Sequence, residues 1–294
     1  MAVQSIESKN ESINISVIAD KIADLIKYIC DNPLIHFSEH DLHVLLMAKL
    51  FEIDDLNPFK SLHEITELKD TNNKSIRNDK DELFKTMLVH REYGLGEKRR
   101  GDIFIFNKDT IVGFNPFNEL KRPKSQKEFY ITPDYIIEMG TEKSCRATKA
   151  YKNHFEKDIE KIMSVVKKEE KEVKGIFIHM HRNFIKSQGG KLQGNNIKKI
   201  DDFKDITKKL IKEKEELIKK NNINIDIRFL VLFINYYAPY EKSKNKYSSE
   251  KCNQKYNLSL FDPADKSFLD ITRLDGEGVK GIKDKVKEIL MGEK

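Results

Sequence analysis

Two apolar runs in the second half of the chain constrain its fold more than any other feature: KGIFIHMH at 174–181 and DIRFLVLFINYY at 226–237. Both are far short of the roughly 18–20 apolar residues that span a bilayer, and they read as buried strands. Each follows a segment with helical periodicity. The first is TKAYKNHFEKDIEKIMSVVKKE, which aligns Tyr151, Phe155, Ile159, Ile162 and Val166; the second is a charged stretch at 201–220. Strands that alternate with helices this way point to an α/β sheet with helices packed on it.

The first half supplies the rest of the sheet and two more helices. Residues 12–30 place Ile15, Ile18, Ile22, Leu25, Ile26 and Ile29 at helical spacing. Ser38, with Asp41 three residues on, is an N-terminal capping pair, and Leu42, Leu45, Leu46 and Leu50 predict a helix over 39–52. Strands are expected at 86–94, 101–107 and 131–140, with 111–114 continuing or answering the second and LGEK as a hairpin turn. The tail reads as a hairpin, NLSLF with SFLDIT, then a helix from about 279. Loops at 121–128 and 186–199 are basic, a composition that suits backbone phosphates and solvation equally.

Composition narrows the function classes. The N-terminus lacks the basic and apolar regions of a signal peptide, so a soluble, cytoplasmic protein without a membrane partner is expected. Three widely spaced cysteines make neither a disulfide framework nor a zinc cluster. The net charge of +6 is what a lysine- and glutamate-rich surface needs for solubility, and it mildly favours a polyanionic partner. No phosphate-binding glycine loop, GxSxG or HExxH is present.

The residues that carry chemistry are acids at strand ends. In RRGDIFIFN (99–107), Asp102 opens a strand beside two arginines, and Glu138 lies near the end of the next, in DYIIEMG. If these strands pair, the two carboxylates reach one point, where oxygen ligands favour Mg²⁺ (or Mn²⁺). Glu39 offers a third acid, although an acid in a first helical turn also complements the helix dipole. His179 with His181 on one strand face, and His154 with Asp158 one helical turn apart, are weaker ligand pairs.

The order SEHDL, HREY, RRGDIFIF, IIEMGTEK, then helix and strand, resembles the PD-(D/E)XK, restriction-endonuclease-like nucleases over about residues 38–182. The resemblance implies an α/β fold with a mixed central sheet flanked by helices. It divides the chain into an N-terminal helical segment (1–37), a nuclease core (38–240) and a C-terminal hairpin and helix packed on the core (241–294). It further implies a Mg²⁺-dependent nuclease acting on DNA rather than RNA, with Asp102, Glu138 and Glu39 as metal ligands, and leaves a homodimer open. The lysine expected two residues after the glutamate is replaced by Gly140. Its role could pass to Lys143, Lys149 or Lys152, or to Lys98, Arg99 or Arg100 of EKRRGD; otherwise the fold binds without cutting. Arg99, Arg100, Lys121, Arg122, Lys149 and Lys152 are the expected nucleic-acid contacts. The rivals are an inactive nucleic-acid-binding module on the same fold and an unrelated structural or interaction protein.

Overall fold

A computed structural model describes residues 13–32, 38–64, 77, 80–83, 85–91, 101–108, 111, 133–143, 148–164, 172–188, 191–192, 194–241, 246–247, 256–272 and 281–292. Helix α1 (Ile15–Asp31) starts where Asn14 accepts the Ser16 N–H at 2.9 Å, and it buries Ile18, Ile22, Leu25, Ile26 and Ile29. Helix α2 (Glu39–Leu50) follows, then a two-stranded pair, β1 (His63–Glu64) and β2 (Lys85–Thr86). The main sheet takes up β3 (Val89–Arg91), β4 (Ile103–Ile105) and β5 (Tyr135–Lys143). Helix α3 (Thr148–Ser164) leads to β6 (Val173–Gln188) and the short β7 (Lys191–Leu192); α4 (Gly194–Lys220) leads to β8 (Ile225–Glu241) and the short β9 (Lys246–Tyr247). The chain closes with β10 (Tyr256–Asp262), β11 (Ser267–Thr272) and α5 (Ile282–Met291).

Seven strands form one mixed sheet in the order β11-β10-β8-β6-β5-β4-β3, with β7 and β9 pairing on β6 and β8. Strands β5, β6 and β8 are parallel because each crossover returns through a helix; the hairpin strands at both edges are antiparallel. The apolar runs at 174–181 and 226–237 are the two central strands, with Ile176, Phe177 and Ile178 beside Phe229, Leu230 and Val231, all buried. Helix α5 packs on α1, where Lys287 pairs with Asp20 at 2.7 Å and Lys283 with Asp24. Among the described residues no helix is long and apolar enough to cross a membrane.

Three expectations need correction. Strand β5 does not stop at Gly140 but runs to Lys143, and β6 runs past His181 to Gln188, into the segment expected as a loop. The parallel ladder explains the extension: β6 and β8 stay in register from Val173↔Ile225 to Ser187↔Pro239, which keeps backbone groups satisfied beyond the apolar run. Ile111, expected in a strand, instead donates its N–H to the Asn107 carbonyl at 3.3 Å, a helical turn; 112–114 and the LGEK turn lie outside the described residues.

In the aromatic core, His181 is a titratable group with a measurable consequence. His181 is buried, stacked on Phe233 with ring centroids 4.3 Å apart and edge-on to Tyr151 at 4.6 Å. Burial, aided by the nearby His154, pushes its pKa down to about 3. In the unfolded chain the same imidazole binds a proton near pH 6.5, so between these values the unfolded state holds more protons than the native one. This group's contribution therefore falls with acidification, by about 1.4 kcal/mol per pH unit between about 6.5 and 3. Urea denaturation of His181→Phe at pH 7, 5 and 4 is expected to show a smaller acid loss than wild type. An equal loss would place the imidazole's protonation elsewhere.

Candidate metal centre

Helix α2 brings two ligand-type side chains to one face, since Glu39 and His43 are four residues apart. Its N-terminus is closed without Glu39. Ser38 Oγ accepts the Asp41 N–H at 3.2 Å and the Asp41 carboxylate accepts the Ser38 N–H at 2.8 Å, a complete capping box. Leu42, Leu46 and Leu50 continue the same stripe and bury it against the rest of the protein. Glu39 is thus left half-buried toward β4 and β5. Burial, together with the Asp102 charge, raises its pKa against the opposing pull of His154 and His43.

The expected pairing of Asp102 and Glu138 is present. The antiparallel register Ile103↔Ile137 puts position 102 level with position 138. Glu138 Oε1 accepts the Asp102 N–H at 3.2 Å, and Asp102 Oδ2 accepts the Met139 N–H at 2.7 Å. Gly101 permits this approach, because a Cβ there would stand 2.4 Å from the Phe104 ring and 2.9 Å from Glu138 Oε1. Burial alone would raise the Asp102 pKa, but the His43 ring, the Met139 N–H and the Lys161 charge outweigh it and hold the carboxyl below its ordinary value. Glu138 is fully buried, and burial plus the Asp102 charge raise it well above the usual carboxylate range.

Ligand atoms of Glu39, His43 and Asp102 all lie within 4.8 Å of one another, close enough that they could hold a metal ion. Glu138 stands beside this group with its oxygens on Asp102 and Lys161. His43 is the ligand-type side chain that the sequence reading did not single out. Its signal was there: it falls one helical turn after Glu39, on the stripe that faces the sheet.

Among the described residues, the ammonium at the acids comes from Lys161 on α3. Its Nζ lies 3.0 Å from Glu138 Oε2 and 2.9 Å from Asp158 Oδ1, and these carboxylates hold it protonated against the opposing effect of burial. Lys149 is exposed, and Lys152 is half exposed and pairs with Glu156 at 3.8 Å, so neither fills the role expected of it. Geometry explains the correction. Helix α3 runs back along β5, and 13 helical residues at about 1.5 Å cover nearly the length of five strand residues at about 3.3 Å. Starting from Thr148 and Lys143, that return brings Lys161 level with Glu138. Position 143 lies inside the strand, five residues from Glu138 and so of opposite parity; its side chain lies outside the described residues. Arg99, Arg100, Lys121 and Arg122 also lie outside the described residues.

Gly140 has a structural cause. A Cβ at that position would stand 2.3 Å from His179 Cδ2 on the neighbouring parallel strand, where Gly140 pairs with His179. The His179 ring is buried between Tyr151, stacked at 5.5 Å, His181 and Phe155 edge-on at 5.0 and 5.6 Å, and Phe177 tilted at 5.6 Å, so it is hemmed in on several sides. His179 and His181 therefore belong to the aromatic core rather than to the metal centre. Gly140→Ala is expected to cost about 1–3 kcal/mol by overpacking, read from the urea midpoint. An unchanged midpoint would show the ring to be mobile.

His154 Nε2 sits 3.4 Å from Asp158 Oδ2 and 4.0 Å from Glu39 Oε2, so the expected His154–Asp158 pair exists and borders the centre. Among the described residues, Glu39, Asp102, Glu138 and Asp158 thus face one fixed cation, Lys161. This excess of negative charge favours binding a divalent ion. Comparison with protein-family models, curated proteins and solved structures finds no match for this chain.

Proposed function

We propose that the chain is a metal-dependent phosphodiesterase, a nuclease acting on DNA in preference to RNA. One observation carries the reading: a helix acid, two paired-strand acids and a lysine converge on one partly buried point. The order of elements that bears them, helix, antiparallel strands, helix and parallel strand, is that of the PD-(D/E)XK nucleases which the sequence resembles. Arg99, Arg100, Lys121 and Arg122 carry the charge expected for a phosphate backbone.

The donor set suits a divalent cation, with Glu39, Asp102 and His43 as the residues that would hold it. Such an ion lowers the pKa of bound water and neutralises charge developing at phosphorus. The chain's own groups orient the reactants. Glu138 and Asp158 clamp two of the three Lys161 N–H donors, which leaves one for the attacking water or a phosphoryl oxygen. Because both carboxylates keep Lys161 charged, it acts as a donor and not as the base. His154, on the outer side of Glu39, is placed to keep that carboxylate turned inward.

The test is metal removal and return. Chelator-stripped protein should leave supercoiled DNA, linear DNA and RNA intact, and added Mn²⁺ or Mg²⁺ should restore cleavage of DNA more than of RNA. Polynucleotide binding without any divalent-dependent cleavage would favour the inactive binding module. Neither binding nor cleavage would favour an interaction protein.

A further inference from the structure

We infer that His43 is a direct ligand of the ion and that it makes the centre select Mn²⁺ or a similar borderline divalent cation over Mg²⁺. The inference rests on the metal-site reading above but not on the chain being a nuclease.

His43 is 2 % exposed, on the helix face that carries Glu39. Its Nε2 lies 3.3 Å from Asp102 Oδ2, close enough for an ion pair, yet among the described residues neither ring nitrogen makes a hydrogen bond of good geometry. A buried imidazole left in that state is costly unless a further partner satisfies it. The separation suits a shared ion. Two ligand atoms at about 2.1 Å from one metal, subtending about 90–110°, lie about 3.0–3.4 Å apart. Glu39 completes a three-residue set within 4.8 Å, two carboxylates and one imidazole.

That composition decides the ion. Mg²⁺ prefers oxygen ligands and keeps most of its waters, so an imidazole adds little to its binding. Mn²⁺ and the later first-row ions accept imidazole readily, and a mixed site of nitrogen and oxygen donors raises their affinity. A centre of acids alone would show no such preference beyond the ordinary order of these ions. His43 is therefore a selectivity residue, and its helix position makes ion choice a property of α2.

Chelator-stripped protein is titrated with Mn²⁺ and separately with Mg²⁺, following free Mn²⁺ by electron paramagnetic resonance and both ions by thermal shift, without nucleic acid. Wild type should bind Mn²⁺ at least about tenfold more tightly than Mg²⁺. His43→Gln, which keeps the size and offers an oxygen, should narrow that gap mainly by weakening Mn²⁺. Pulsed paramagnetic resonance of the Mn²⁺ complex should show coupling to a ring nitrogen that is lost in His43→Gln. His43→Ala serves as a second variant, and melting in chelator verifies that each folds. Equal affinity for the two ions, no nitrogen coupling, coupling that persists without His43, or binding of neither ion would overturn the inference. Nitrogen-coupled Mn²⁺ with no nucleic acid cut would overturn the nuclease reading alone. Cleavage that runs equally on either ion without nitrogen coupling would overturn this inference alone.

Discussion

Lys161→Met is expected to lower divalent-dependent cleavage at least about a hundredfold while leaving Mn²⁺ binding in place, because it removes the one fixed ammonium donor at the acids among the described residues but none of the proposed ligands. The same change should destabilise the fold by about 3 kcal/mol at neutral pH, since Glu138 is fully buried and loses its only ion-pair partner among the described residues. The pH dependence gives the loss a signature. The Glu138 pKa is already raised by burial and by Asp102, and loss of the ammonium raises it further above its unfolded value. The folded variant then holds more protons than its unfolded chain, so its stability rises as pH falls. Denaturation at pH 7 and pH 5 should therefore show the gap between variant and wild type closing in acid. Cleavage unchanged by Lys161→Met would remove Lys161 from the donor role.

Asp102→Asn is expected to abolish both cleavage and the stabilisation of the protein by Mn²⁺. In wild type, an ion present at a hundred times its dissociation constant should add about 2.7 kcal/mol to unfolding, and the variant should gain almost none of it. The fold should survive, because an asparagine oxygen can still accept the Met139 N–H and removal of a buried charge relieves its desolvation. Glu138→Gln separates the two acids. It breaks the clamp on Lys161 and should suppress cleavage, yet it should retain most of the Mn²⁺ stabilisation because Glu138 stands beside the ligand set. Full cleavage in Asp102→Asn would sink the metal-centre reading.

Much of this was legible in the chain alone because it is local. Periodicity marked α1, α2 and the central strands; Ser38 and Asp41 marked the start of α2 at the residue where it begins. The pairing of Asp102 with Glu138 followed from two adjacent antiparallel strands, whose register brings the residues level. What the sequence could not order was set by crossovers between distant segments. Lys161 reaches Glu138 across 23 residues because helix rise and strand rise differ, so the first half of α3 overshoots the acids and its second half returns to them. Gly140 looked like a missing lysine, but its cause is an imidazole from β6, 39 positions away and known only once those strands pair. His43 needed the rotation of α2 against the sheet, which packing of Leu42, Leu46 and Leu50 decides. Residue types and their spacing determined which elements form and which acids meet; side chains brought in from other elements, held there by burial, decided which groups complete the centre.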